Sequence, residues 1–306
     1  MKPQAPRGVL SPVVTPFGDD LRPGAKRWLA HCRWLLTQNC GLAIFGTNSE
    51  ANSLSVAERR ELLETAAEAG LDGARMMPGT GACAIPEAVE LTQAAVEAGA
   101  AGVLMLPPFY YKGVSDDGLF AFYSEVIQRV GDERLRIYLY HIPPVAQVPI
   151  PHDLIERLLR EYPGTIAGIK DSSGDWENTR AMIERFDDFD VFAGSEQFLL
   201  QTLRAGGAGC ISATANINPA AIHNLYAHWQ DEDADSRQEK VSAFRAAIAK
   251  FPMIPALKAV IRLVTDDAGW GQVRPPLVRL DEAQLSRLSK VLREHGFDMP
   301  GRREAA

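Results

Sequence analysis

The sequence predicts a closed (β/α)8 barrel followed by a C-terminal helical extension. Three observations carry this. Eight short apolar or β-rich runs recur along the chain, with segments of helical spacing between them. Eight is the number of strands that closes a parallel barrel, and the roughly 250 residues such a fold occupies fit within the 306 of this chain. No Gly-x-Gly-x-x-Gly follows the first run, as a doubly wound dinucleotide fold would require, so the open sheet is the runner-up.

In chain order the expected strands are 8–15, 41–45, 75–78, 101–106, 135–140, 165–170, 190–193 and 209–212. The run 165–170 is apolar or glycine from Ile166 to Ile169, as in a strand buried on both faces. Helices are expected between the strands. From Val56 to Ala67 apolar residues recur at three- and four-residue spacing, and Ser55 with Glu58 forms a capping-box signature. The segment 85–98 repeats the pattern and stops at Gly99, and 115–130 stops at Gly131. Three further helices are expected at about 236–250, 255–264 and 281–294. They place the barrel in 1–229 and the helical extension, packed on it, in 230–306. The acidic stretch Asp231 to Asp235 reads as a solvated loop, and 301–306 as a frayed tail.

Composition narrows the function. The chain is 46% hydrophobic and 23% charged, with a formal charge of -7 and a pI near 5.5. A polyanionic partner such as nucleic acid is not expected. Cys32, Cys40, Cys83 and Cys210 form no Cys-x-x-Cys pair and no Cys/His cluster, so neither zinc nor a disulfide framework is indicated. No apolar run nears membrane-spanning length, and the N-terminus lacks an apolar signal region. The expectation is a cytosolic protein without metal, cofactor or membrane.

In a barrel the chemistry sits at the carboxyl ends of the strands. There the sequence places Thr15-Pro16-Phe17, the loop 46–50, Gly79-Thr80-Gly81, Tyr110-Tyr111, Tyr140-His141, Lys170-Asp171, Ser195-Glu196 and the run 212–216. A lysine at such a mouth is partly stripped of water, which disfavours the ammonium and favours the neutral amine that attacks a ketone. Tyr140 can both donate and accept a proton, and so could relay one to a carbinolamine. The loop from Gly46 to Glu50 can offer N–H groups and the Thr47 and Asn48 side chains to a carboxylate. Plainer readings exist for each. Lys170 could pair with Asp171 at the surface, Tyr140 could be a core aromatic, and 46–50 could be ordinary turn chemistry. His141 reads as a structural hydrogen-bonder, and Glu196 either opens a helix or contacts substrate. Gly79-Thr80-Gly81 lacks the ending of a phosphate loop and reads as a tight turn.

Five motifs in order, Gly46-Thr47-Asn48-Ser49-Glu50, Gly79-Thr80-Gly81, Pro108-Phe109-Tyr110-Tyr111, Tyr140-His141-Ile142-Pro143 and Gly168-Ile169-Lys170-Asp171-Ser172, make the chain resemble the Schiff-base aldolase superfamily of dihydrodipicolinate synthase and N-acetylneuraminate lyase. The resemblance runs nearly end to end. It implies a (β/α)8 barrel, usually in a homotetramer built as a dimer of dimers, acting on a small 2-oxo acid. It implies Lys170 as the Schiff-base lysine, Tyr140 as proton shuttle, and Thr47 with Asn48 as carboxylate holders. Tyr111 matches the tyrosine that crosses into a neighbour's site, with Tyr110 beside it, and Ile211 the position whose carbonyl faces the site. Glu196 falls where lyases of sugar-like substrates hold hydroxyls. His141 stands in place of the more usual asparagine and is carried as a substrate contact without a chemical account. Val145 stands where the synthase has an arginine for its second substrate, and it cannot supply a bidentate fork.

The function expected is therefore a lyase that cleaves, condenses or dehydrates a pyruvate-derived 2-oxo acid such as a 2-keto-3-deoxy sugar acid. The alternatives are dihydrodipicolinate synthase itself and a non-catalytic keto-acid binder on the same scaffold.

Overall fold

The computed structural model describes residues 6–302. Seven parallel strands curl into one sheet: β1 Gly8–Ser11, β2 Gly41–Leu42, β3 Val103–Met105, β4 Ile137–His141, β5 Ile166–Asp171, β6 Asp190–Ala193 and β7 Gly209–Ile211. Their order is β2-β1-β7-β6-β5-β4-β3. The segment 76–80 fills the gap between the two edges. Met77 and Gly79 donate their N–H groups to Leu42 and Ile44, while Pro78 accepts from Leu104 N–H and Leu104 accepts from Thr80 N–H. The cylinder thus has eight positions, as expected, and the third is bridged at single residues rather than along a continuous strand. Pro78 has no N–H to give on the β3 side, which interrupts that ladder.

A helix follows each barrel position: Ala25–Thr37, Val56–Glu68, Ile85–Glu97, Asp116–Val130, His152–Glu161, Trp176–Arg185, Leu199–Arg204 and Pro219–Ala227. Ser55 caps the second, accepting from Glu58 N–H while the Glu58 carboxylate accepts from Ser55 N–H. Helices Ala234–Ile248, Met253–Thr265 and Glu282–Glu294 come after the barrel. The acidic stretch is only partly a loop. Ala234 and Asp235 already belong to a helix, where Asp233 pairs with Arg237 and Asp235 with Arg204. The carboxylates complement the positive end of that helix, which a count of charges does not show.

Side chains alternate across β4 and β5. Tyr138, Tyr140 and Phe192 belong to the small cluster inside the cylinder with Leu10 and Ile211, while Leu139 and Ile169 join the larger core under the helices. Gly168 pairs with Tyr138. A Cβ there would stand 2.2 Å from Asp190 O and 2.7 Å from the Tyr138 ring. The glycine two residues before Lys170 is therefore the space the Tyr138 ring occupies.

Arg274, beyond the barrel, clamps the extension to the first two barrel units. Its guanidinium donates to Leu21 O and to the Glu58 carboxylate, the latter at 2.9 Å through Nη1. That pairing holds the Glu58 carboxyl down at about 2, against an ordinary 4.5. A depressed carboxyl contributes stability that is complete above its unfolded value and lost as pH falls through the folded one. Glu58→Gln keeps the capping geometry and removes the charge. The stability gap between wild type and this variant, read from urea midpoints, is expected to be constant above about pH 5 and to close between about pH 4.5 and pH 2. A gap that persists at pH 2 would contradict the pairing.

Candidate active site

Lys170 and Tyr140 face each other because β4 and β5 are neighbours with those two residues in register. Parallel neighbours lie about 4.8 Å apart, and both side chains turn inward. Lys170 Nζ donates to the Tyr140 hydroxyl at 3.2 Å and lies 4.2 Å from the centre of its ring. Each residue is 2% exposed. The Tyr140 hydroxyl lies 3.2 Å from Thr47 Oγ1, completing a chain from amine through phenol to hydroxyl. Lys170 makes no ion pair with Asp171. That carboxylate turns outward and accepts from Ser173 N–H, Asn178 Nδ2 and Thr179 Oγ1.

Thr47 and Asn48 sit on one turn of 3-10 helix, Thr47–Ser49. Phe45 and Glu50, on either side, both have left-handed backbones at φ 60° and 57°. Non-glycine residues hold that conformation only where the surroundings enforce it. Here the enforcing contacts are Thr15 Oγ1 donating to Ser49 O at 2.8 Å, Gly46 N–H donating to Ser49 Oγ at 3.1 Å, and a buried ion pair between Glu50 and Lys258. Lys258 also donates to Gln272 O at 2.9 Å, and Glu50 accepts from Arg274 N–H at 3.0 Å. Lys258 was not singled out in the sequence. Its signal was a lone charge inside the apolar run Ala256 to Ile261, because a charge inside a core must find a partner.

A cavity of about 320 Å3 opens over this group and is lined by Thr47, Asn48, Tyr140, Lys170, Val145 and Arg245 among others. His141 is not among the lining residues. As an outward residue of β4 it accepts Ile150 N–H through Nδ1 at 3.0 Å, and burial pushes its pKa down. Strand parity turns its side chain to the opposite face of β4 from Tyr140, toward Ile150. Glu196 is likewise absent from the lining. It is buried and accepts from the Ser212 and Thr214 hydroxyls, and burial raises its carboxyl against the opposing pull of Arg245. Ile211 packs inside the cylinder. Tyr110 and Tyr111 stand 73% and 74% exposed, with rings in edge contact at 5.2 Å, outside this cavity. Asn216 bonds Val14 N–H and Pro12 O, tying the end of β7 to β1. Among the described residues no group of three or more His, Cys, Asp or Glu is placed to hold a metal, and no helix is long and apolar enough to cross a membrane.

The model of the dihydrodipicolinate synthetase family matches residues 5–295. The chain belongs to that family. An uncharacterized DapA-like lyase of Chloroflexus aurantiacus is 33% identical over 92% of this chain and 95% of its own. The crystal structure of dihydrodipicolinate synthase from Agrobacterium tumefaciens is 31% identical, with a TM-score of 0.87 over 94% of this chain and 99% of that one. YagE of E. coli K12, a dihydrodipicolinic acid synthase family protein solved in complex with pyruvate, is 27% identical, with a TM-score of 0.88 over 95% and 99%. This dihydrodipicolinate synthetase family member is thus an enzyme of the lyase class on a barrel fold.

Proposed function

We propose that the protein is a Schiff-base lyase acting on a pyruvate-derived 2-oxo acid of the 2-keto-3-deoxy sugar acid kind. The observation that carries this is the hydrogen-bonded chain Lys170–Tyr140–Thr47 on the floor of the cavity. The Lys170 amine attacks the C2 ketone, and Tyr140 passes protons so that the carbinolamine loses water and becomes an iminium. Thr47 and Asn48 hold the C1 carboxylate. In cleavage, the C4 hydroxyl gives its proton to Tyr140 and the C3–C4 bond breaks. Its electron pair enters the iminium as an enamine, and an aldehyde leaves. Proton return to C3 and hydrolysis release pyruvate and free Lys170. In dehydration the same iminium acidifies C3–H, and the C4 hydroxyl departs as water.

Val145 lines the cavity and is largely exposed. At that position, where the synthase's arginine is expected, it offers no fork for a second substrate's carboxylate, which weighs against the synthase reaction. The exposed Tyr110–Tyr111 pair supports assembly as a homotetramer in which Tyr111 meets a second copy's site, because large exposed aromatics mark contact surfaces.

A panel of 2-keto-3-deoxy sugar acids, scored for pyruvate release against water loss, tests the reading and selects between its two outcomes. Condensation of pyruvate with aspartate semialdehyde in place of either would overturn it for the synthase. Tyr140→Phe is expected to lower kcat by about 10²–10³-fold on the best substrate, with KM changed little, as for loss of one positioned proton relay. A variant within a factor of about three of wild type would remove Tyr140 from the mechanism.

A further inference from the structure

The helix Ala234–Ile248 is fixed over the end of β6 by Gln238, whose side chain accepts Leu200 N–H at 2.9 Å and donates to Glu196 O at 3.0 Å. Two helical turns later, on the same face, comes Arg245. It lines the cavity that holds Lys170. Its guanidinium donates to the Met253 sulfur at 3.7 Å and is in no ion pair among those of the described residues. A thioether is a weak acceptor, so most of a five-donor fork is left for a ligand. The carboxylates nearby take their hydrogen bonds from other groups: Asp171, which also lines the cavity, from Ser173, Asn178 and Thr179, and Glu196, which Arg245 acts on only through space, from Ser212 and Thr214. Phe198, Met253 and Val145 line the same cavity, and an apolar rim strengthens a charge pair formed within it.

We propose that Arg245 is a specificity residue that receives a terminal carboxylate at the far end of the substrate, so that the preferred substrate is a 2-oxo diacid rather than a keto acid with a neutral tail. The inference rests on the Schiff-base reading for the near end. The two ends have separate holders: Thr47 and Asn48 follow β2, whereas Arg245 stands over the β6 side next to Ser195 and Phe198. A cavity of about 320 Å3 is at the small end of ligand sites and fits a short-chain acid. The planar fork matches a carboxylate in two parallel bonds, a geometry lysine cannot give.

The test compares two substrates of equal length, a 2-keto-3-deoxy aldonate ending in a hydroxymethyl group and its counterpart ending in a carboxylate. Wild type is expected to favour the diacid by about 10- to 10²-fold in kcat/KM, the scale of hydrogen bonds to a charged group. Arg245→Gln is expected to bring the ratio near one, and Arg245→Lys to restore part of it. Because the ratio is taken within one protein, partial unfolding does not change it. Equal turnover of both substrates by wild type, or an undiminished ratio in Arg245→Gln, would overturn the proposal. Borohydride trapping of wild type with pyruvate, which has no far end, reports on the Schiff base separately. Trapping without a diacid preference removes Arg245 alone, and no trapping removes both.

Discussion

Lys170→Ala and Lys170→Arg both lose turnover by about four orders of magnitude or more, the scale on which removing a covalent nucleophile acts. The arginine variant is the informative one. It keeps a cation in the register position opposite Tyr140, and guanidinium stays protonated in proteins and forms no iminium. If the lysine served only to hold an anionic ligand, arginine would retain much of the activity. As the Schiff-base nucleophile is gone, it is expected to retain none above the alanine level. The measurement is kcat/KM on the best substrate from the keto-acid panel, with circular dichroism to show that both variants fold.

Lys258→Met is expected to destabilise the protein by about 3–5 kcal/mol, because it leaves Glu50 as a buried carboxylate without its cation. For a chain of this size that is a fall in Tm of about 5–8 °C. Burial already lowers the Lys258 ammonium to about 8, with Glu50 pulling the other way. The paired variant Glu50→Leu with Lys258→Met is expected to recover much of the loss, since buried pairs are often replaced by apolar residues without penalty. Function separates the two variants from wild type in a second way. The pair braces the strained turn that carries Thr47 and Asn48, so both variants are expected to raise KM for the 2-oxo acid more than they lower kcat. Unchanged KM in the paired variant would mean that the ion pair has a structural role only.

The barrel was legible because the period of its elements is written in short runs: apolar strands ending in turn residues, helices ending at Gly99 and Gly131. The third strand was less so. Its apolar pattern is real, but Pro78 breaks the ladder that would make it a strand. At the site, Lys170, Tyr140 and Thr47 could be assigned from chemistry and motif, and the structure brings them into one hydrogen-bonded chain. His141 and Glu196 lie close to the mouth along the chain, yet neither lines the cavity: His141 accepts from Ile150 N–H, and Glu196 from Ser212 and Thr214. Counting side-chain parity along the strand from Tyr140 turns His141 to the opposite face. Arg245 carries no local signal, and Lys258 only that of a lone charge in an apolar run. They reach the site from helices that follow the barrel, 75 and 88 residues beyond Lys170, and their contacts are set by tertiary packing that local pattern does not encode.

A covalent bond between Lys170 and the ketone carbon is the step on which the proposed chemistry turns. Reduction with borohydride in the presence of pyruvate, followed by trypsin and peptide mass mapping, tests this directly. Alkylated Lys170 is no longer a cleavage site, so the adduct is expected on the peptide 161–180, and only when pyruvate and borohydride are both present. An adduct on any other lysine, or no adduct in an active preparation, would contradict it.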